Sequence, residues 1–476
     1  MTTATKELSG IEATAQAVGD WCEGVLDGTI VACKWTRLAV ERHVADMEHG
    51  HERGLYHDGE AVQDWVEFFL CLSHFEGDFA GQPIALDPWE LFVVWNLFGW
   101  HRPDGTRRFR TGYIEIARKV GKSTFAAGIG LGGLVIDGEA GPQVYSAAVN
   151  KDHARKVLHN KSEKYVKHSA ALRRRLKINS TTGRIAFDVN DGYYEPLGKD
   201  SDTGEGFNPH ITVFDELHAH TDRAMWDVID SGLGARSQPL KLAITTAGFD
   251  VSCFCHTEIR DQVCSILEGV YTDDSWFGCI WTIDEDDNWQ DETVWAKANP
   301  QTYFHNQIED MRRMAVEAAR KPGALNNFLT KRLNVWTAQT VKWVDMEDWQ
   351  KSPPIIARET LAGAPCWSGL DLSANKDLTG LVHLCQRSDE IDDLAIACRF
   401  WIPESRIKDR ERKDAAQYER WVREGLVTTT PGNVIDYSVV KADIKTDLDY
   451  FDVQKLAYDP WGSAESIRQD LIDEGM

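Results

Sequence analysis

The amino-acid sequence predicts two α/β units joined by a helical piece, and three observations predict it. Between residues 110 and 250 short apolar runs alternate with longer helical stretches, the pattern of a mostly parallel sheet covered on both faces. From 250 to 345 long polar helices dominate and strands are few. After Pro365 three strand candidates follow one another, then a helix, a strand and a last helix.

Each element has its own signal. "GYIEIA" (112–117) suits a strand, and "KSTFAAGIGLGGLVI" (122–136) suits a helix packed on it. "PQVYSAA" (142–148) reads as the next strand, followed by a helix from Lys151 to His168. "HITVFDE" (210–216) and "LKLAITTAG" (240–248) are apolar runs ending in polar residues, and ligands of such sheets sit at the carboxyl ends of strands. "NQIEDMRRMAVEAARK" (306–321) is a polar helix, and "NVWTAQTVKWVDMEDW" (334–349) a connector. Beyond it "CWSGLDLS" (366–373), "TGLVHLC" (379–385) and "DLAIACRFWIP" (393–403) read as strands. A helix from Ser438 to Tyr450, the strand "KLAYD" (455–459) and a helix from Ser463 complete the order.

Composition narrows the functional classes. At 476 residues the chain has room for roughly two to four domains of ~150 residues. No stretch approaches the ~18 apolar residues of a membrane span, and "MTTATKELSG" lacks a secretory layout. Ten cysteines in so long a chain point to thiols in a reducing cytosol, not a disulfide framework. "CFCH" (253–256) lacks the paired C-x-x-C spacing of a zinc site and reads as buried or loop thiols. A net charge of -23 excludes a protein that coats nucleic acid with its whole surface, but not a local basic channel. "HRPDGTRRFR" (101–110) and "LRRRLK" (172–177) read as solvated faces unless something nearby handles phosphate.

Something nearby does. "ARKVGKST" (117–124) is a phosphate loop with Ile116 in place of its first glycine. Joining a strand to a helix, its amides, Gly121 and Thr124 included, point into the helix N-terminus, where the dipole favours an anion. Lys122 then reaches the β- and γ-phosphates, and the Ser123 hydroxyl ligates magnesium. "ITVFDE" supplies the acidic pair such a site needs: Asp215 for magnesium, Glu216 to orient the attacking water. Thr245 and Thr246 end the third strand at the same edge, where hydroxyls sense the γ-phosphate; a plain turn at Ala247-Gly248 is the alternative.

Taken in order, these residues resemble the large subunit of the terminase of tailed bacteriophages. The stretches that carry the resemblance are "LDPWELFVVWNLFGW", "GTRRFRTGYIEIARKVGKS", "GFNPHITVFDELHAH", "LKLAITTAG", "WAKANP", "LNVW", "GLDLSANKDLTGLV" and "LAYDPWG", from residue 85 onward. Phosphate loops of that family typically lack the first glycine and carry an arginine, which fits Ile116 and Arg118. The resemblance implies an N-terminal helical region (1–84), a P-loop ATPase core of the ASCE class (85–250), a helical lid and linker (251–345) and an RNase H-like nuclease (346–476). It further implies ATP with Mg2+, Mn2+ as an alternative at the nuclease, double-stranded DNA, a portal protein, a small terminase subunit and a homo-oligomeric ring on the procapsid in the host cytoplasm. Glu90 stands where the family's adenine-reading glutamine is expected; a carboxylate there accepts a bond from the adenine amino group and donates none. Arg155 is the candidate for an arginine acting on a neighbour's ATP, with an ordinary surface arginine as the alternative.

A two-metal nuclease needs carboxylates converging from separate strands. Asp371 and Asp459 end two strands of the second unit and match the family's metal ligands; one Asp at a strand end is otherwise a cap or turn former. Asp377 is a weaker candidate, and Asp436 caps the following helix. The family takes a further acidic residue from well beyond "YDPWG", so the nuclease is expected to be incomplete at Met476; Asp470, Asp473 and Glu474 read as solvated. Two other classes compete with a packaging motor. A helicase-like ATPase would need single-strand-binding features and further motifs, which are missing. A scaffold with a dead site would have no use for Lys122, Asp215 and Glu216.

Overall fold

The computed structural model describes residues 10–149, 151–198, 207–220, 222–301, 307–337, 356, 358–373, 378–388, 393–407 and 418–458. The chain divides into two compact units, Met1–Trp343 and Val344–Met476.

The first unit is organised by one sheet of eight strands: β1 (Thr111–Glu115), β2 (Gln143–Ala147), β3 (Leu176–Ile178), β4 (Ile185–Phe187), β5 (Gly192–Leu197), β6 (Pro209–Asp215), β7 (Leu240–Thr245) and β8 (Trp276–Ile280). Their order is β8-β1-β7-β6-β2-β5-β4-β3. All neighbours from β8 to β5 run parallel, and only β4 and β3 turn antiparallel at one edge. β1, β6 and β7 are buried at every position, which is why they read as continuous apolar runs rather than alternating ones. Register places Glu115 opposite Thr245 and Asp215 opposite Ile244, so three strands end level at one edge.

Four N-terminal helices, α1 (Gly10–Asp27), α2 (Lys34–His49), α3 (Gly59–Leu70) and α4 (Pro88–Gly99), share their core with the sheet. α4 is apolar around most of its circumference and correspondingly buried, with Pro88 in its first turn. α5 (Lys122–Val135) lies against β6 through its glycines: a Cβ at Gly133 would stand 2.6 Å from Ile211.

Residues 250–345, read as a helical piece, first return to the sheet. "WFGCI" is apolar enough to be buried as β8, parallel to β1, before helices Ile308–Ala318 and Pro322–Arg332 form a satellite core around Met311 and Phe328. The helix from Lys151 is broken by a π-type turn at Arg155–His159.

The basic run at 101–110 is not a solvated face. Arg108 is fully buried between Asp46 (2.7 Å) and Asp274 (2.7 Å), and Arg107 is buried on Asp137. Run 172–177 keeps Arg173, Arg174 and Arg175 exposed, as expected.

The second unit carries β9 (Pro365–Asp371), β10 (Thr379–Gln386), β11 (Leu394–Pro403), β12 (Thr428–Thr430) and β13 (Asp452–Tyr458) in the order β12-β11-β10-β9-β13. β9, β10 and β11 form an antiparallel meander; β13 pairs parallel with β9, and β12 with β11. This is the RNase H-like arrangement, with helix Tyr437–Tyr450 packing Val440 and Ile444 onto Leu370, Leu381 and Trp401. Eight cysteines are free, but Cys366 and Cys385 stand directly opposite in β9 and β10 and are joined as a disulfide, which composition alone did not suggest.

Candidate active sites

The loop between β1 and α5 turns sharply because Lys119 (φ 74°) and Gly121 (φ 90°) both take left-handed backbone. Glycine does so without a Cβ penalty. The turn opens a cavity of about 460 Å³ lined by Arg118, Lys119, Gly121, Lys122, Ser123, Thr124, Lys161 and Glu216. The Lys122 ammonium is buried and donates to the carbonyls of Ala117 (2.9 Å) and Ile116 (3.3 Å) and to Thr246 Oγ1 (2.6 Å). Burial pulls it down to about 8, against the opposing charges of Glu216 and Asp215.

Asp215 and Glu216 leave the end of β6 beside it. Asp215 is 2% exposed, and neither of its carboxylate oxygens has a hydrogen-bond partner within the chain. Burial and the charge of Glu216 push it up to about 7. A buried carboxylate with both oxygens unsatisfied is costly alone, and a bound cation relieves that cost, so the donor set fits a hard divalent metal. Glu216 holds a left-handed backbone (φ 53°), a conformation that costs a non-glycine residue about 1–3 kcal/mol. Its Oε2 lies 3.2 Å from His218 Nδ1 and 3.7 Å from Arg118 Nη2. Thr245 Oγ1 accepts from the His218 amide (3.2 Å) and lies 3.0 Å from His218 Nδ1.

The lid helices reach this edge directly. The Lys331 carbonyl accepts from the Arg118 amide (2.9 Å), and Gln307 Nε2 donates to the Lys119 carbonyl (2.8 Å). Asn334, buried with φ 56°, accepts from the Ala247 amide (2.7 Å) just beyond the two threonines.

In the second unit Asp371 ends β9, exposed, at a cavity of about 590 Å³ with Gly369, Gly380, Ala457 and Tyr458 in its wall. Register sets Leu370 opposite Tyr458 in the parallel strand β13. Asp459, Asp377, Asp470, Asp473 and Glu474 lie outside the described residues. Asp436 caps the following helix, its side chain accepting from the Ser438 amide (2.9 Å). A different carboxylate is deeply buried: Asp447 takes both Nε and Nη2 of Arg399 (2.7 Å each), with His383 Nε2 at 3.2 Å and Arg358 beside it.

Two family models match the chain, "Terminase large subunit, ATPase domain" over residues 88–262 and "Terminase large subunit, endonuclease domain" over residues 270–473. Protein YmfN of Escherichia coli K12 is 33% identical over 282 residues, which span 57% of this chain and 61% of that protein. The large terminase subunit of Enterobacteria phage HK97 is 30% identical over 425 residues, 88% of this chain and 80% of the relative. The chain belongs to the terminase large subunits. The crystal structure of the HK97 large terminase agrees in fold, with a TM-score of 0.51 at 26% identity over 87% of this chain and 83% of that one. A terminase large subunit of this kind has an ATPase and an endonuclease domain, and both are present here.

Within the terminase framework, the sequence-derived residues of the first unit converge on one edge: Arg118, Gly121, Lys122, Ser123, Thr124 and Glu216 line one cavity, with Asp215, Thr245 and Thr246 against it. Glu90 lies next to the loop as well. Its Oε2 accepts from the Asp87 amide (2.9 Å) as the third residue of a capping box, and its Oε1 approaches to 3.5 Å of the position a Cβ would take on Gly121. Burial, with the charge of Asp87 nearby, pushes its carboxyl well above the usual range. Arg155 is engaged by the carbonyls of Thr181 (2.8 Å) and Ser180 (2.5 Å). Sequence reasoning missed Lys161 and His218; "ELHAH" was quoted, but no spacing rule says that its first histidine folds back onto Glu216.

Proposed function

We propose that the 117–124 loop binds ATP with Mg2+ and that hydrolysis there drives double-stranded viral DNA into a procapsid, while the second unit cuts the concatemer with divalent metal, Mg2+ or Mn2+. The observation that carries the reading is Asp215, buried with both oxygens unsatisfied beside Lys122 and the phosphate loop. Loop amides and Lys122 hold the phosphates; Ser123 and Asp215 hold the metal, which when bound neutralises charge developing on the phosphoryl oxygens. Glu216 orients the attacking water, and Thr245 and Thr246 relay the state of the site through His218 and Asn334 to the lid. Glu90, beside Gly121 of the loop, accepts from the adenine amino group. Asp371 and Asp459 are the proposed metal ligands of the nuclease. By family membership the active form is a homo-oligomeric ring on a portal protein, loaded by a small subunit, in the host cytoplasm; no helix among the described residues is long and apolar enough to cross a membrane.

The test is ATPase and plasmid-cleavage activity in one preparation. Lys122→Ala should abolish hydrolysis, and Glu216→Gln should bind ATP while losing at least about a hundredfold in turnover. Asp371→Ala should remove cleavage and leave ATPase activity within about twofold. Normal turnover in Glu216→Gln would remove the role given to that residue.

A further inference from the structure

Of the eight residues lining the phosphate-loop cavity, seven belong to the loop, the start of α5 or the end of β6. The eighth is Lys161, from the separate helix Asn160–His168. Its backbone is fixed relative to the loop: Ser162 Oγ donates to the Ala127 carbonyl (3.3 Å), and Tyr165 OH to the Thr124 carbonyl (3.3 Å). Like Lys122, Lys161 is among the cations that act on Asp215, so its charge reaches the acidic residues of the cavity.

Its present partner is a weak one. Lys161 Nζ lies 2.8 Å from Glu76 Oε1, above the Phe75 ring, but the Glu76 side chain is 62% exposed. Exposed lysine–glutamate pairs contribute little and exchange readily for a stronger anion. Glu76 would not be stranded, because Lys164 Nζ already stands 4.0 Å from its other oxygen.

We propose that Lys161 reads the terminal phosphate, distinguishing the triphosphate from the diphosphate by leaving Glu76 for the γ-phosphoryl oxygens. The inference rests on the reading of the loop as the nucleotide site. The loop amides hold what ATP and ADP share, and Lys122 spans the β- and γ-phosphates; Lys161, entering the cavity from a separate helix, gains a partner only when the third phosphoryl is present. Through Phe75 and Glu76 the same exchange reports the nucleotide state to the segment after α3.

The experiment is equilibrium binding of ADP and of the slowly hydrolysed analogue ATPγS, with Mg2+, to the full chain and its variants, with melting temperature as a check on folding. Lys161→Ala should weaken ATPγS about tenfold and ADP by no more than about twofold, and Lys161→Arg should restore most of the difference. Glu76→Gln should strengthen ATPγS binding, by less than about fivefold. Equal weakening of both nucleotides by Lys161→Ala, no weakening of either, or a Glu76→Gln loss matching that of Lys161→Ala would overturn the proposal in favour of a structural pair. Lys122→Ala separates the two levels: it should weaken both nucleotides, and if it weakens neither, the nucleotide reading itself falls.

Discussion

Glu90 shows how burial changes what a residue can do. In sequence it is a departure, a carboxylate where an amide is expected. In the structure it caps α4 and lies under the phosphate loop, and desolvation moves its proton equilibrium far upward. A carboxyl whose folded pKa is raised stabilises the fold most below its unfolded value of 4.5, and that contribution is lost as pH rises. Glutamine keeps the capping geometry and never ionises. Glu90→Gln should therefore match the parent chain in stability at pH 4 and exceed it by at least about 1 kcal/mol at pH 8, read by thermal denaturation without nucleotide. Equal melting at pH 8 would mean that water reaches the carboxyl. The identity of Glu90 was legible; the upward push on its carboxyl was not, because it depends on burial in the folded chain and on Asp87 beside it.

At the scale of elements, α5 is the least conventional piece. "GIGLGG" is a poor helix sequence by propensity, yet it forms the helix on which the phosphate loop depends. Packing is the reason. A Cβ at Gly128 would stand 2.2 Å from the Phe69 ring, and one at Gly132 2.3 Å from Trp65, so α3 sits as close as hydrogen allows. Gly128→Ala should thus lower stability by about 1–3 kcal/mol, although alanine improves helix propensity by up to ~1 kcal/mol. Urea denaturation checks it, and a stabilised variant would show that α3 yields. The long parallel strands were legible in sequence because β1, β6 and β7, buried throughout, are mostly apolar and end in chemistry. The β3–β4–β5 edge was not: three-residue strands such as Leu176–Ile178 carry too few positions to show a period. β8 was missed for a related reason, since "WFGCI" stands alone among polar helices and only its pairing with β1 defines it.

The whole molecule has cores that do not merge among the described residues. The large core and the lid core draw on residues up to 336, and the second unit's clusters on residues from 356 onward. Separate cores imply separate cooperative transitions, so heating should unfold the chain in two steps rather than one. The second unit supplies a handle for assigning them. Burial alone would raise the Asp447 carboxyl, but His383, Arg399 and Arg358 outweigh it and hold the group well below its ordinary 3.8. A depressed carboxylate contributes stability above its unfolded pKa and loses it as pH falls through that value, so one transition should drop in temperature below about pH 4. Asp447→Ala should lower the same transition at neutral pH by more than about 10 °C, because it leaves Arg399 without its buried partner at a cost of about 3–5 kcal/mol. The transition that Mg2+–ATP raises should stay where it is, since ligand binding stabilises only the unit that binds. Differential scanning calorimetry at pH 7 and pH 3.5, with and without nucleotide, reads all of this at once. A single transition moved equally by Asp447→Ala and by nucleotide would show that the two units unfold as one.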